Sequence, residues 1–134
     1  MDSNSSLVPI DPAILLLIRG SFAAGGGLKP FAREIMLIEC KVAGTSYRDL
    51  KAVEPELLPG ALLVLRREPV NPHDELAIMI VDERGHHLGY VPRVKNEALA
   101  RLMDAGKLLF GRLESKEWLG HWLHVEVRIF LRDL

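Results

Sequence analysis

Between Arg66 and Asp74 the chain gathers two arginines, a glutamate, an asparagine, a histidine and an aspartate, in the stretch LRREPVNPHDELAIMI. A carboxylate only accepts hydrogen bonds, so Asp74 suits a ligand hydroxyl and repels a phosphate. Pro69 and Pro72 fix φ near about −65° at two places and make the corner rigid. Asn71 and Asp74 can also bond neighbouring backbone groups, as side chains of Asx turns do. Two readings stand: a turn that satisfies its own polar groups, or a rigid corner that holds Asn71 and Asp74 out to a ligand.

Other chemistry is sparse. The sequence has no Walker-type phosphate loop, no H-E-x-x-H and no nucleophile elbow. Gly25, Gly26 and Gly27 follow no strand pattern, which disfavours a nucleotide loop. His86 and His87 adjoin a turn, and His121 and His124 have the wrong spacing to share one face of a strand. Neither a metal nor a cofactor is expected, and no catalytic residue stands out. Cys40 lies in an apolar strand pattern and reads as a core thiol.

Binding groups are better represented. From Gly85 to Arg112, Arg93, Lys95, Arg101, Lys107 and Arg112 face Glu97 and Asp104 in sequence, a local balance of five minus two, or +3. These charges fit either a basic patch or a mixed, solvated surface. Tyr47 follows Gly44 in a polar stretch, where it either folds back as a lid or stands out to stack on a base. Tyr90 reads as a packing residue, and Trp118 as a loop residue near Gly120 that caps the barrel mouth.

Strands and one helix must position these groups. Apolar and β-branched runs predict strands at residues 34–44, 61–68, 76–82, 87–91, 107–114 and 122–131. The three runs within 61–91 read as an antiparallel meander, and Pro55 and Pro59 limit the preceding segment to a single turn near 53–57. Val94, Ala98, Leu99, Leu102 and Met103 predict the apolar face of a helix that ends at Gly106. The pattern predicts an α+β fold: about six mainly antiparallel strands in a curled, barrel-like sheet of OB or SH3 type, with two or three helices.

The chain has 134 residues, 49% of them hydrophobic, and a formal net charge of −1. One domain is the default at that length, and no global electrostatic case exists for nucleic acid. Residues 31–134 form the expected domain, and 1–30 an appendage. In the appendage Asp11, Pro12 and Gly20 are a start and stop for a short helix carrying the run Ala13 to Ile18, followed by a Gly-rich connection. That run is too short to span a bilayer, and the single cysteine fits a reducing compartment. A cytoplasmic protein is expected, without a membrane partner.

The stretch GALLVLRREPVNPHDELAIMIVDERGHHLGYVPRVKNEALARLMDAG resembles the HIRAN domain. Arg67, Glu68, Pro69, Asn71, Pro72, Asp74, Ala77, Ile78, Gly85, Gly89, Tyr90, Pro92, Arg93 and Asp104 to Gly106 carry the resemblance, with VAGTSY upstream as the first strand and loop. It covers roughly residues 34–131. It implies a small barrel-like domain that binds single-stranded DNA and its free 3′-hydroxyl end, without catalysis, in DNA repair or replication-fork processing. Carried over, Tyr47 stacks on a base, Asn71 and Asp74 meet the terminal nucleotide, and Arg93 or Lys95 holds a phosphate. Trp118 corresponds to an aromatic of the last hairpin. Where well-studied binders have a second aromatic, Arg48 follows Tyr47. Position 73, often tyrosine in the family, is His73. Arginine and histidine also stack on bases. The alternative is a protein-interaction or self-association module that uses the apolar segment within residues 11–30.

Overall fold

Leu123, Val125, Val127 and Ile129 are buried, while the alternating residues Trp122, Glu126 and Arg128 face solvent and His124 is half-buried. That period of two makes Trp122–Asp133 a strand with one wet face. It is β6 in the computed structural model, which describes residues 33–133. The tail, short helix and Gly-rich connection expected before residue 31 lie outside the described residues.

The other strands are β1 (Arg33–Lys41), β2 (Leu62–Arg67), β3 (Ile78–Asp82), β4 (His87–Tyr90) and β5 (Leu108–Leu119). They form one six-stranded antiparallel sheet in the order β1-β6-β5-β2-β3-β4. The expected meander is β2-β3-β4. Helix α1 (Arg93–Asp104) follows β4, and 3-10 turns occupy Thr45–Tyr47 and Glu54–Glu56. Among the described residues there is one α-helix: of the two or three expected, the turn near 53–57 is a single 3-10 turn, and the short helix before residue 31 lies outside the described residues.

The sheet curls until its edge strands meet. Just past β1, the Ala43 N–H donates to Tyr90 O at 2.8 Å, and the Tyr90 N–H donates to Ala43 O at 2.9 Å. Gly89 permits this closure. Its φ is +155°, and a Cβ there would lie 2.3 Å from Ala43 O and 2.7 Å from Val42 Cγ1. Inside the curl, Leu63, Ile78, Ile80, Leu88, Leu113 and Ile129 form the centre of the core. Leu50, Val53 and Leu57 of the connection between β1 and β2 are buried with them. Cys40 is buried in the same cluster, and burial raises its thiol pKa.

Two expectations need correction. Helix α1 buries Asn96, Leu99 and Ala100, whereas Val94 is 89% exposed and Ala98 also faces solvent. The buried stripe is rotated because Asn96 has a partner beneath the helix, described below. Strand β5 extends to Leu119, well past the expected end at residue 114. A bulge between Leu113 and Ser115 resets its register with β6, and pairing then continues to Leu119↔Trp122. The charged run ESKE is the wet end of a long hairpin, so Trp118 stands in a strand and not in a loop.

Candidate nucleic-acid interface

The corner after β2 is built from its own side chains. Asn71 Oδ1 accepts from the His73 N–H at 2.8 Å and the Asp74 N–H at 3.1 Å. Its amide nitrogen donates to Glu68 Oε1 at 2.9 Å. Asp74 Oδ1 accepts from the Leu76 N–H at 2.9 Å, and the Ala77 N–H returns to Asp74 O at 3.1 Å. These are consecutive Asx turns, and the two prolines remove N–H groups that would otherwise need partners. The self-satisfying turn is real, and Asn71 spends both ends of its amide on it.

Asp74 is different. Its Oδ2 points away from the turn and accepts from Asn96 Nδ2 of α1 at 2.8 Å, with Arg93 Nε 3.6 Å away. The Leu76 N–H first, then Asn96, hold its pKa below the usual carboxylate value, with a further contribution from Arg93. A carboxylate has about four lone-pair sites. The Leu76 and Asn96 bonds occupy two, so the ionised group keeps room for a ligand hydroxyl.

Glu68 braces the corner from behind. Its Oε1 accepts from both Asn71 and the Tyr90 hydroxyl, the latter at 2.7 Å. The Asn71 bond, then the Tyr90 bond, lower the Glu68 pKa. Burial raises that of Tyr90, and the Glu68 carboxylate adds to the rise. Arg67 ties the same region to the end of α1: its Nε and Nη2 fork onto Asp104 at 2.9 and 3.1 Å, and Nη1 donates to Ala77 O.

A groove of about 310 Å³ opens above this frame, with Tyr47, Asn71, His73, Asp74 and Arg93 around it. Its floor and walls include Ala43, Ala77, Tyr90 and Val91. Tyr47 ends the 3-10 turn next to the barrel closure and is 85% exposed, so it stands out and does not fold back as a lid. Arg93, in the first turn of α1, donates from Nη2 to His73 O at 2.6 Å and keeps its side chain 74% exposed. Five of the eight candidate residues therefore share one opening.

The other three face elsewhere. Arg48 Nη1 lies 2.6 Å from His87 Nδ1, in a neighbouring cavity of about 330 Å³ that Tyr47 also borders. A guanidinium only donates, so Nδ1 is the acceptor and His87 is neutral. Burial, then Arg48, lower the His87 pKa. Lys95 reaches the other way, with Nζ 3.5 Å from Glu39 O, and lines a cavity with Glu39, Lys41 and Arg128. Trp118 faces Lys51, Gly120 and His121, and its indole supports Glu54.

Tyr90 and Trp122, aromatics that the sequence shows but that are not among the eight candidates, also bear on the site. Tyr90 does pack, but its ring also borders the groove. Trp122 is 47% exposed, and its Nε1 donates to Thr45 Oγ1 at 3.0 Å, which fastens an open indole to the turn that carries Tyr47. The signal was only the aromatic itself at a hairpin tip. The arginines outside the groove are largely paired: Arg101 with Glu97, Arg112 and Arg132 with Glu34, and Arg128 with Glu39 and Glu114. The surface is thus mixed and not a single basic patch. Among the described residues no three His, Cys, Asp or Glu side chains gather as a metal site, and no helix is long and apolar enough to cross a membrane.

Comparison with known proteins gives a consistent result. Residues 35–132 match the HIRAN domain. A crystal structure of a protein from Lactobacillus plantarum superposes with a TM-score of 0.70 at 28% identity, covering 77% of this chain and 99% of that one. The crystal structure of the HIRAN domain of human HLTF gives 0.58 at 19% identity, covering 75% of this chain and 79% of that one. The NMR structure of the HLTF HIRAN domain in its DNA-bound conformation gives 0.54 at 18% identity with the same coverage. No curated protein matches significantly. The match to the family spans most of the chain, and the Asn71–Asp74 corner, the Tyr47 turn and the start of α1 all lie within it: this protein belongs to the HIRAN domain family.

Proposed function

We propose that this chain is a non-catalytic module that binds single-stranded DNA and takes a free 3′ end into the groove between Tyr47 and the Asn71–Asp74 corner. One observation carries the reading. An exposed aromatic, a carboxylate oxygen with spare acceptor capacity and an exposed guanidinium border one small opening. A terminal nucleotide offers each its complement: a base to stack, a 3′-hydroxyl to donate and a phosphodiester to be held. The relative described as DNA-bound shares this fold and supports the same ligand class. DNA repair or replication-fork processing is the setting in which such ends arise.

In this reading each residue has a distinct role. Tyr47 stacks on the terminal base. Asp74 accepts from the 3′-hydroxyl, and Arg93 meets the phosphate on the 5′ side. Asn71 acts mainly by shaping the corner, because its amide is already committed. His73 offers its backbone carbonyl to Arg93 and its exposed ring to a neighbouring base. The test is fluorescence anisotropy with a labelled single-stranded oligonucleotide at low salt. Stacking contributes about 1–3 kcal/mol per base, so Tyr47→Ala is expected to weaken binding about 5- to 150-fold. Binding that is unchanged in the variant contradicts the assignment of Tyr47.

A further inference from the structure

Arg48 holds its charge against an imidazole and not against a carboxylate. Its Nη1 donates to His87 Nδ1 at 2.6 Å, and among the described residues no carboxylate forms an ion pair with it. The contact stands only while His87 is neutral. A protonated Nδ1 is a donor, so imidazolium and guanidinium would meet N–H to N–H and repel. In the neutral ring Nε2 carries the proton, and that atom is buried without a hydrogen-bond partner. The ring is held in place by Val81, directly opposite on β3, and by the edge-on ring of Tyr90 at 5.0 Å. Arg48 is exposed. Its backbone N–H is bonded to Thr45 O at 3.0 Å, so its side chain can swing while its backbone stays.

The pair lines the cavity of about 330 Å³, and Tyr47 is a wall shared by that cavity and the groove. A base stacked on Tyr47 brings its backbone beside the next residue in sequence, which is Arg48. The other polar groups of the cavity are committed. Asp49 Oδ1 accepts from the Lys51 N–H at 3.4 Å, and His86 Nδ1 pairs with Asp82 Oδ2 at 2.8 Å. We propose that Arg48 and His87 form a proton-operated latch on an anion site beside the groove. With His87 neutral, the guanidinium is parked on the ring. With His87 protonated, the guanidinium is expelled and meets a phosphodiester of the strand whose 3′ end lies in the groove. The latch rests on the groove reading above. Burial and Arg48 oppose protonation of His87, and the Glu68 carboxylate favours it. The net effect is a lowered value, so the latch of the free protein opens below the ordinary 6.5. A phosphate that draws Arg48 away raises that value in turn, so binding takes up a proton and tightens as pH falls.

The test measures the affinity of the full chain for a labelled single-stranded oligonucleotide against salt concentration, at about pH 8 and about pH 5. Each phosphate contact on a single strand adds about 0.7 to the slope of log affinity against log salt. The parent slope is expected to steepen on acidification by about 0.7 more than the slope of Arg48→Ala or His87→Gln. The glutamine keeps an acceptor for Arg48 but does not titrate. The other four histidines are common to all three proteins, so their contribution cancels. NMR of the His87 ring in the bound parent at the lower pH is expected to show the imidazolium. Equal steepening in the parent and both variants, or a bound His87 that is still neutral at the lower pH, overturns the latch. The preference for a 3′-hydroxyl over a 3′-phosphate end, measured at the higher pH, reports on the groove separately: where it holds, only the latch has failed. An oligonucleotide that binds at neither pH overturns both.

Discussion

Gly89→Ala should damage the fold and the groove together. An alanine Cβ would sit 2.3 Å from Ala43 O, so the two strands must separate. Separation breaks both hydrogen bonds between Ala43 and Tyr90. Each is worth about 0.5–1.5 kcal/mol net. A side chain at φ +155° adds strain, typically about 1–3 kcal/mol for backbone that glycine favours. The expected loss is about 2–6 kcal/mol, a large part of the roughly 5–15 kcal/mol that stabilises a domain. Urea denaturation followed by circular dichroism measures it. The turn that carries Tyr47 begins at Gly44, next to the broken bridge, so affinity for single-stranded DNA should fall as well. A stability change below about 1 kcal/mol refutes the argument that this closure depends on glycine.

Two further predictions concern protonation. His87 should titrate by NMR below its ordinary 6.5, and Arg48→Ala should raise the value while burial keeps part of the depression. A depressed folded pKa means that neutral His87 stabilises the fold above pH 6.5, and that this is lost as pH falls through the folded value. Glu68 has a lowered pKa, so its contribution is present above its ordinary 4.5 and disappears as pH falls through the folded value. Glu68→Gln keeps acceptor geometry for Asn71 and Tyr90 but loses the charge. Its Tm deficit relative to the parent should therefore shrink below pH 4.5, and a constant deficit contradicts the bracing role.

The corner was legible because its determinants are local. Pro69, Asn71, Pro72 and Asp74 fix a turn through bonds that span two or three residues. The links that aim it are distant: Asn96 to Asp74 and Tyr90 to Glu68 each span 22 positions. Asn96 is absent from the apolar face expected for the helix because helical periodicity scores side-chain type and cannot register a partner on another element. Arg93 and Lys95 looked equivalent in sequence. Two residues along a helix differ by about 200° in direction, so only one can face the groove. Trp118 was misplaced because charged residues on an extended hairpin resemble a loop. The strand count was readable from apolar runs, but the closing bridge depends on a single pair brought together by the curl.

The most direct test of the account is the affinity of the full chain for one single-stranded oligonucleotide ending in either a 3′-hydroxyl or a 3′-phosphate. The Asp74 carboxylate accepts from the former and repels the latter, so tighter binding of the hydroxyl end is predicted, with the preference lost in Asp74→Asn. Equal affinity for the two ends, or a preference that survives the substitution, contradicts the assignment of this groove to the 3′ end.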